Sequence, residues 1–566
     1  MDVQVGNMLR SALEDGRKLL AALGTGAQES GDGRVDGMVE EFSKRLVTGW
    51  ISVPADAAPE RVELCIGDLV VGSTYATPDS PPFPGPEPAG RNSGQQIRTF
   101  SFRVRGIWPW VKRSTRITLR VNGRPLPIHG HGMFLTPPRD GKRSVKALAA
   151  RLEDGYLLTH TGRFVLSKQL DTAWQGRVMD LYTRVRAVLH DDFGLDAFLM
   201  YGSLLGAVRE GGYIGHASDF DAGSLSTKSD PREVAAEYQE IALALVRHGF
   251  HVEAHPASLH VHDRGSEERI ELFHTFFDTQ DVLRIPFGIT GRSMVTRNDW
   301  QGVREVEWPG GKALLPVNAE QLAEHIYGED WRVPKQGFVW RLDKTDSAPE
   351  AELSTEQRTK IYWASFYAQT HYTSGSTFFE FVSGWPGIPD NVIDIGCGDG
   401  RDSCAFGTTG RHVLGVDQSP VGIENASQQA EERGLGDRVS FRTCDVADVT
   451  DLGHAMDEIT QRTEGPVAFY MRFFLHAIPE DVQRGLMHAI DTHARPGDFL
   501  VAEFRTDKDA ENTKVHTKHY RRFQNAEVFR SSLGEHGFEV LHFEENNGLS
   551  PYKGEDPVLC RAVARR

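Results

Sequence analysis

Asp219 and Asp221 stand two apart in the run Met200 to Gly223, MYGSLLGAVREGGYIGHASDFDAG. On an extended segment successive side chains alternate between faces, so both carboxylates project from one side, close enough to share a divalent cation, while Phe220 points the other way. Upstream, Phe198 to Tyr201 reads as a short strand, Gly202-Ser203 as a turn, Leu204 to Arg209 as a helical segment and Gly211-Gly212 as its break. Gly202 and Ser203 at a helix start offer backbone N–H groups and a hydroxyl to a phosphate lying beside such a metal, and Arg209 adds a cation. The pattern points to metal-assisted nucleotidyl or phosphoryl transfer. Its alternative is a polar hairpin whose aspartates are only solvated.

A second constellation lies at Asn391 to Ser419, NVIDIGCGDGRDSCAFGTTGRHVLGVDQS. The apolar run around Asp394 predicts a buried strand ending in Gly396-Cys397-Gly398, followed by a helix and a second strand, Val413 to Val416, that ends in Asp417. Glycines in such a β-α-β turn let a ligand approach the backbone, and an acid after the second strand suits ribose hydroxyls. Val439 to Arg442 predicts a further strand leading to Cys444-Asp445-Val446, and AFYMRFFLHAI a fourth. Group transfer at such a crevice requires positioning and, for weak nucleophiles, a base. Arg472, His476, Glu503 and His519 are the candidates for catalysis, with Tyr520 and Arg522 beside them, and Arg505 and Arg521 have the planar fork that matches a phosphate. Surface salt bridges are the alternative for the arginines.

The stretch YGSLLGAVREGGYIGHASDFD resembles the signature of the LicD family, which includes phosphocholine transferases of bacterial surface glycans and fukutin-related ribitol-phosphate transferases. The resemblance continues through RIELF, where Glu271 stands at the place of the third metal-site carboxylate, and HIYGEDWRVP, covering about 170 residues from near Gly162 to near Trp340. It implies that Asp219, Asp221 and Glu271 hold Mg²⁺ or Mn²⁺ and that the donor is a cytidine diphosphate conjugate. The glycine turn with an acid inside its first strand resembles class I S-adenosylmethionine-dependent methyltransferases, over roughly Tyr362 to Arg566. That likeness implies cofactor contacts from Asp394, Gly396, Gly398, Asp417, Asp445 and Val446. It also implies that YWASFYAQTHY forms a helix closing over the cofactor.

With 566 residues the chain exceeds a single core. Its 63 basic and 79 acidic residues, net −16, argue against nonspecific nucleic-acid binding. Five scattered cysteines without a CxxC pair predict reduced thiols in a cytoplasmic enzyme. No run approaches the length of a membrane span, so contact with a lipid-linked substrate would be peripheral.

The domain boundaries follow from shifts in pattern. Residues 1–48 read as two helices, the first with an apolar stripe that offers a face for oligomerisation. Residues 49–140 read as a β-sandwich, with hairpin turns at Gly67-Asp68 and Asn122-Gly123. Residues 141–342 form an α+β nucleotidyltransferase-like domain that opens with a basic helical connector and includes a helix from Pro231 capped by Asp230. Residues 343–360 read as a charged linker, which makes residues 361–566, an α/β Rossmann-like methyltransferase domain, separable. His248, His251, His255, His260 and His262 lack metal spacing on one element and read as ordinary surface and strand residues, with one left to contact phosphate.

The expectation is therefore a multidomain, bifunctional enzyme acting on a surface glycan or polymer. A natural-product tailoring enzyme that joins a nucleotidyltransferase to an O-methyltransferase is the second reading, and a glycan-binding scaffold with an inactive LicD-like site the third.

Overall fold

The structure is a computed structural model that describes residues 36–78, 94–217, 219–334, 348–369, 374–462, 464–512, 514 and 520–566. The chain divides into two compact units, one of residues up to 166 with a short segment at 333–339, the other of residues 167–332 and 340–566. The N-terminal apolar stripe and His519 lie outside the described residues.

In the first unit two small antiparallel sheets share one apolar cluster that includes Val39, Ile51, Leu64, Phe100 and Leu119. Residues 37–48, expected as helix, are instead the strand Gly37–Phe42 and the start of Leu46–Pro54. A bulge between Val39 and Glu41 breaks the two-residue period there, which is why the run reads as helical in sequence. The connector helix Val145–Glu153 and a hairpin, Tyr156–Leu158 with Phe164–Leu166, belong to this unit rather than to the following domain.

The second unit contains two large sheets and a two-stranded one, Val303–Trp308 with Gly311–Pro316. The first runs Phe198–Leu199, Phe220–Leu225, Arg269–Phe277, Leu259–His262, His251–Ala254. Phe220–Leu225 and Arg269–Phe277 are parallel, and the other neighbours are antiparallel. Helices Thr172–Phe193 and Pro231–Arg247 pack against it. Local chemistry sets their ends: Asp171 accepts from the Trp174 N–H and Gly194 stops the first helix in the left-handed region, while Asp230, just before Pro231, accepts from the N–H groups of Arg232 and Glu233.

The second sheet has seven strands in the order Val439–Thr443, His412–Asp417, Asn391–Ile395, Val467–Arg472, Phe499–Arg505, Leu559–Arg565, Glu539–Asn546. The first five are parallel and the last two antiparallel to their neighbours. Strand order reverses beside Asn391–Ile395, and in open α/β sheets the crevice at the carboxyl ends of the strands flanking such a reversal receives the ligand.

Between the sheets lies the helix Thr355–Tyr367, begun by a capping box of Ser354 and Gln357. It packs on the strand His251–Ala254 and the helix Pro231–Arg247, and also on the helix Pro420–Glu432. Ile361, Ala364 and Ala368 join the core of the first sheet, together with Val421 from beyond the second sheet's second strand. Ser365 Oγ accepts from the Val252 N–H and donates to the Val252 carbonyl, both at 3.0 Å. The described part of the expected linker 343–360 is thus a structured connection, because one face of the helix is apolar and buried. Among the described residues no helix is long and apolar enough to cross a membrane, and all five cysteines are buried free thiols.

Candidate functional sites

Asp219 directly precedes the strand Phe220–Leu225, and the parallel register sets Asp221 beside Glu271. The backbone of Asp221 also meets the start of the helix Tyr201–Glu210: its carboxylate accepts from the Gly202 N–H at 2.7 Å, and its own N–H donates to Ser203 Oγ at 2.9 Å. A Cβ at Gly202 would stand 2.8 Å from that carboxylate and push it aside. The N–H and hydroxyl expected to meet a phosphate are therefore engaged in aiming Asp221. Arg209 pairs with Glu210 at 2.8 Å.

Arg269, absent from the sequence reading, bridges Asp219 at 2.9 Å and Glu271 at 2.5 Å. Burial, followed by the charges of Asp219 and Glu271, pushes the Asp221 carboxyl well above the usual carboxylate range. Burial, then Asp219, pushes Glu271 up to about 7. Three carboxylates that repel one another have the oxygen chemistry of a hard divalent cation such as Mg²⁺, but here the Arg269 guanidinium stands between Asp219 and Glu271, and among the described residues the trio that brings its ligand atoms within 4.8 Å of one another is Glu253, His255 and His260.

Tyr201 holds this corner with φ of +39°, a costly conformation for an aromatic residue. Its ring sits 4.6 Å from that of Phe273 and 5.3 Å from that of Phe287, and its hydroxyl donates to the Gly288 carbonyl at 2.9 Å. Packing on several sides thus fixes the strained turn that delivers the Gly202 N–H.

In the second sheet the glycine turn sits at the strand reversal. Gly396 and Gly398 have φ of +78° and +59°, and a Cβ on them would strike the rings of Phe474 and Tyr367 at 2.2 and 2.5 Å. Tyr367 belongs to the helix between the sheets, which places it over the turn as expected. Asp417 accepts from the Gly398 N–H at 3.0 Å and the Ser419 N–H at 2.8 Å, and burial pushes it up to about 6. Asp445, just before Val446, accepts from Lys360 of that same helix at 2.9 Å. Asp394 lies beneath the turn, bonded by Ser403 at 2.6 Å, with burial raising it to about 8. The turn, Asp417 and Asp445 occupy the carboxyl ends of three adjacent strands, so the residues fit a nucleoside-bearing cofactor.

The expected acid-base residues are placed differently. Glu503 is fully buried, with Arg561 at 2.7 Å and Arg472 at 3.6 Å, and burial still raises its pKa. His476 is 4 % exposed and its Nδ1 accepts from the Arg505 N–H at 3.2 Å. Both are buried and engaged by these partners. Arg505 is bound by Asp509 and Glu555. Arg521 is half-buried, and burial with neighbouring Arg505 lowers its pKa. Phe473, at φ +53° directly after the strand Val467–Arg472, is a strained backbone position at that strand's carboxyl end.

Comparison with known proteins assigns both halves of this unit. Residues 194–309 match the LicD/FKTN/FKRP nucleotidyltransferase domain, and residues 389–519 match a methyltransferase domain of the class I type. The chain is 27% identical over 118 residues to the 2-heptyl-1-hydroxyquinolin-4(1H)-one methyltransferase of Mycobacteroides abscessus, an alignment that takes 21% of this chain and 47% of the relative. It thus spans about half the length of that curated relative. Among solved structures it is similar to a SAM-dependent methyltransferase from Anabaena variabilis (19% identity, TM-score 0.26, 32% of this chain and 79% of that one). Another is the glycopeptide N-methyltransferase MtfA (15% identity, TM-score 0.28, 34% and 96%).

Proposed function

We propose that the chain is a bifunctional transferase: its LicD domain moves a phospho-substituent from a nucleotide-activated, cytidine diphosphate-type donor to a surface glycan or polymer, and its methyltransferase domain methylates the acceptor or product from S-adenosylmethionine. The observation that carries this reading is the pairing of Asp221 with Glu271 across neighbouring strands, aimed by Gly202, in the same compact unit as the glycine turn.

In the first site Asp219, Asp221 and Glu271 would hold Mg²⁺ or Mn²⁺, which supplies charge stabilisation to the transferring phosphoryl group. Gly202 and Ser203 fix the orientation of Asp221, and Arg269 keeps Asp219 and Glu271 convergent. A carboxylate of this group not fully committed to the ion would take the proton of the acceptor hydroxyl. In the second site Asp417 would take the ribose hydroxyls and Asp445 with Val446 the adenine, while the cofactor supplies an activated methyl group. Tyr367 and Phe474 exclude water above the turn, and Arg472 and Arg521 favour an anionic acceptor. The whole system would work from the cytoplasmic side.

A tailoring role on a small molecule is the second reading, favoured by the hydroxyquinolinone named for the curated relative. Mass spectrometry of the full chain with a panel of cytidine diphosphate conjugates, glycans and hydroxyquinolinones, with deuterated S-adenosylmethionine, separates the two. Phospho-transfer to a glycan supports the first reading, and methylation of the hydroxyquinolinones alone supports the second. Asp221→Asn keeps the shape and removes a charge. It should retain its fold and its cofactor affinity but lose donor turnover by about two to three orders of magnitude. Turnover near the wild-type rate rejects the assignment of the acid group.

A further inference from the structure

Glu253, His255 and His260 come together on the outer hairpin of the first sheet. Strands His251–Ala254 and Leu259–His262 pair antiparallel with Glu253 opposite His260, and the His255 N–H closes the hairpin on the Ser258 carbonyl at 2.8 Å. Val252 and Val261 are buried on the other face, which fixes the three polar side chains on this one. One potential ligand atom from each lies within 4.8 Å of the other two, and the imidazoles of His255 and His260 stand 4.1 Å apart between centroids.

We propose that Glu253, His255 and His260 form a second cation site, for a borderline divalent ion such as Zn²⁺, separate from the acid group of Asp219, Asp221 and Glu271. Two imidazole nitrogens and one carboxylate oxygen are a zinc-type set that leaves a further position open, whereas the oxygen-only group nearby suits a hard ion. Metal–ligand bonds of about 2.0–2.2 Å require ligand atoms about 3.3–3.5 Å apart, so closure asks for side-chain shifts of about 1 Å. The frame is rigid where it needs to be, because Ser365 clamps the backbone of Val252 on the outer strand. Glu271 also stands 3.3 Å from His260 Nε2, and a carboxylate beside a metal-binding imidazole commonly orients it. Across four strands the register lines up Glu253, His260, Glu271 and Asp221, so the two sites share one polar row of the sheet.

The test uses untagged full-length protein carrying Asp221→Asn, which weakens the acid group, titrated with Co²⁺ as a spectroscopic probe. The proposal expects visible bands of imidazole-coordinated Co²⁺ that saturate at one equivalent and are displaced by Zn²⁺. His255 is exposed in the turn, so His255→Ala in the same background should fold, as circular dichroism will show, and should weaken Co²⁺ binding about 100-fold or more. Absence of the bands, or an unchanged titration in the His255→Ala protein, overturns the site. Bands that appear in wild type but vanish with Asp221→Asn alone assign the ion to the acid group and overturn it equally.

Discussion

Asp417 illustrates how far a single residue's role is readable. Its position after a strand identified it in sequence, while its two N–H partners and its raised pKa of about 6 come from the folded turn. Because the folded value lies above the ordinary 3.8, its contribution to the stability of the ligand-free protein is complete below about 3.8 and is lost as pH rises through about 6. In the proposed site cofactor binding has the opposite sign, since ribose hydroxyls would donate to the ionised form. Affinity for S-adenosylmethionine measured by calorimetry should therefore fall as pH drops from 7.5 to 5. Asp417→Asn should bind more weakly and flatten that dependence, and an equally steep profile in the variant would place the titrating group elsewhere. Asp219 and Asp221 were legible from spacing alone. His260 and Arg269 were not, because their neighbours come from strand register rather than from local pattern. For Glu503 and His476 the residue types suggested chemistry, but only the fold shows their burial and partners.

At the scale of elements, the helix Thr355–Tyr367 is the clearest departure from the sequence reading. Charged residues before and at its start suggested a solvated linker, yet Ile361 and Ala364 are fully buried. Aromatic crowding around Tyr362, Trp363, Phe366 and Tyr367 obscures its amphipathic pattern, since large rings line both faces. Ile361→Ala should cost about 2–5 kcal/mol and lower the urea midpoint of the second unit, whereas Lys360→Ala, which removes a partly exposed pair with Asp445, should cost less than about 1 kcal/mol. Equal effects from the two substitutions would mean that the helix is held by its charges and not by its apolar face. Helix caps and hairpin turns were read correctly where Asp230 or Asn122-Gly123 dictates local geometry. The strand Gly37–Phe42 was missed where a bulge disturbs the period.

Across the whole molecule, the shared helix joins the LicD and methyltransferase domains of the second unit through one apolar cluster that reaches Val421. These two domains should unfold in a single calorimetric transition. Saturating cofactor at about 100 Kd should stabilise that whole transition by about 2.7 kcal/mol. Two transitions, of which the cofactor raises only one, would show that the domains are energetically independent. A fragment starting at Ser354 should be less stable than the intact unit and prone to association, because it exposes the face of Ile361, Ala364 and Ala368.

The position of that helix also bears on heredity. The methyltransferase match begins at residue 389, downstream of Lys360 and Tyr367, which serve that domain from a helix rooted in its neighbour. A recombination event that exchanged the domain at the edge of the match would leave behind the ring over its glycine turn and the partner of Asp445. Viable crossovers are therefore expected upstream of Ser354, and a newly acquired methyltransferase would have to bring a helix that already fits the strand His251–Ala254.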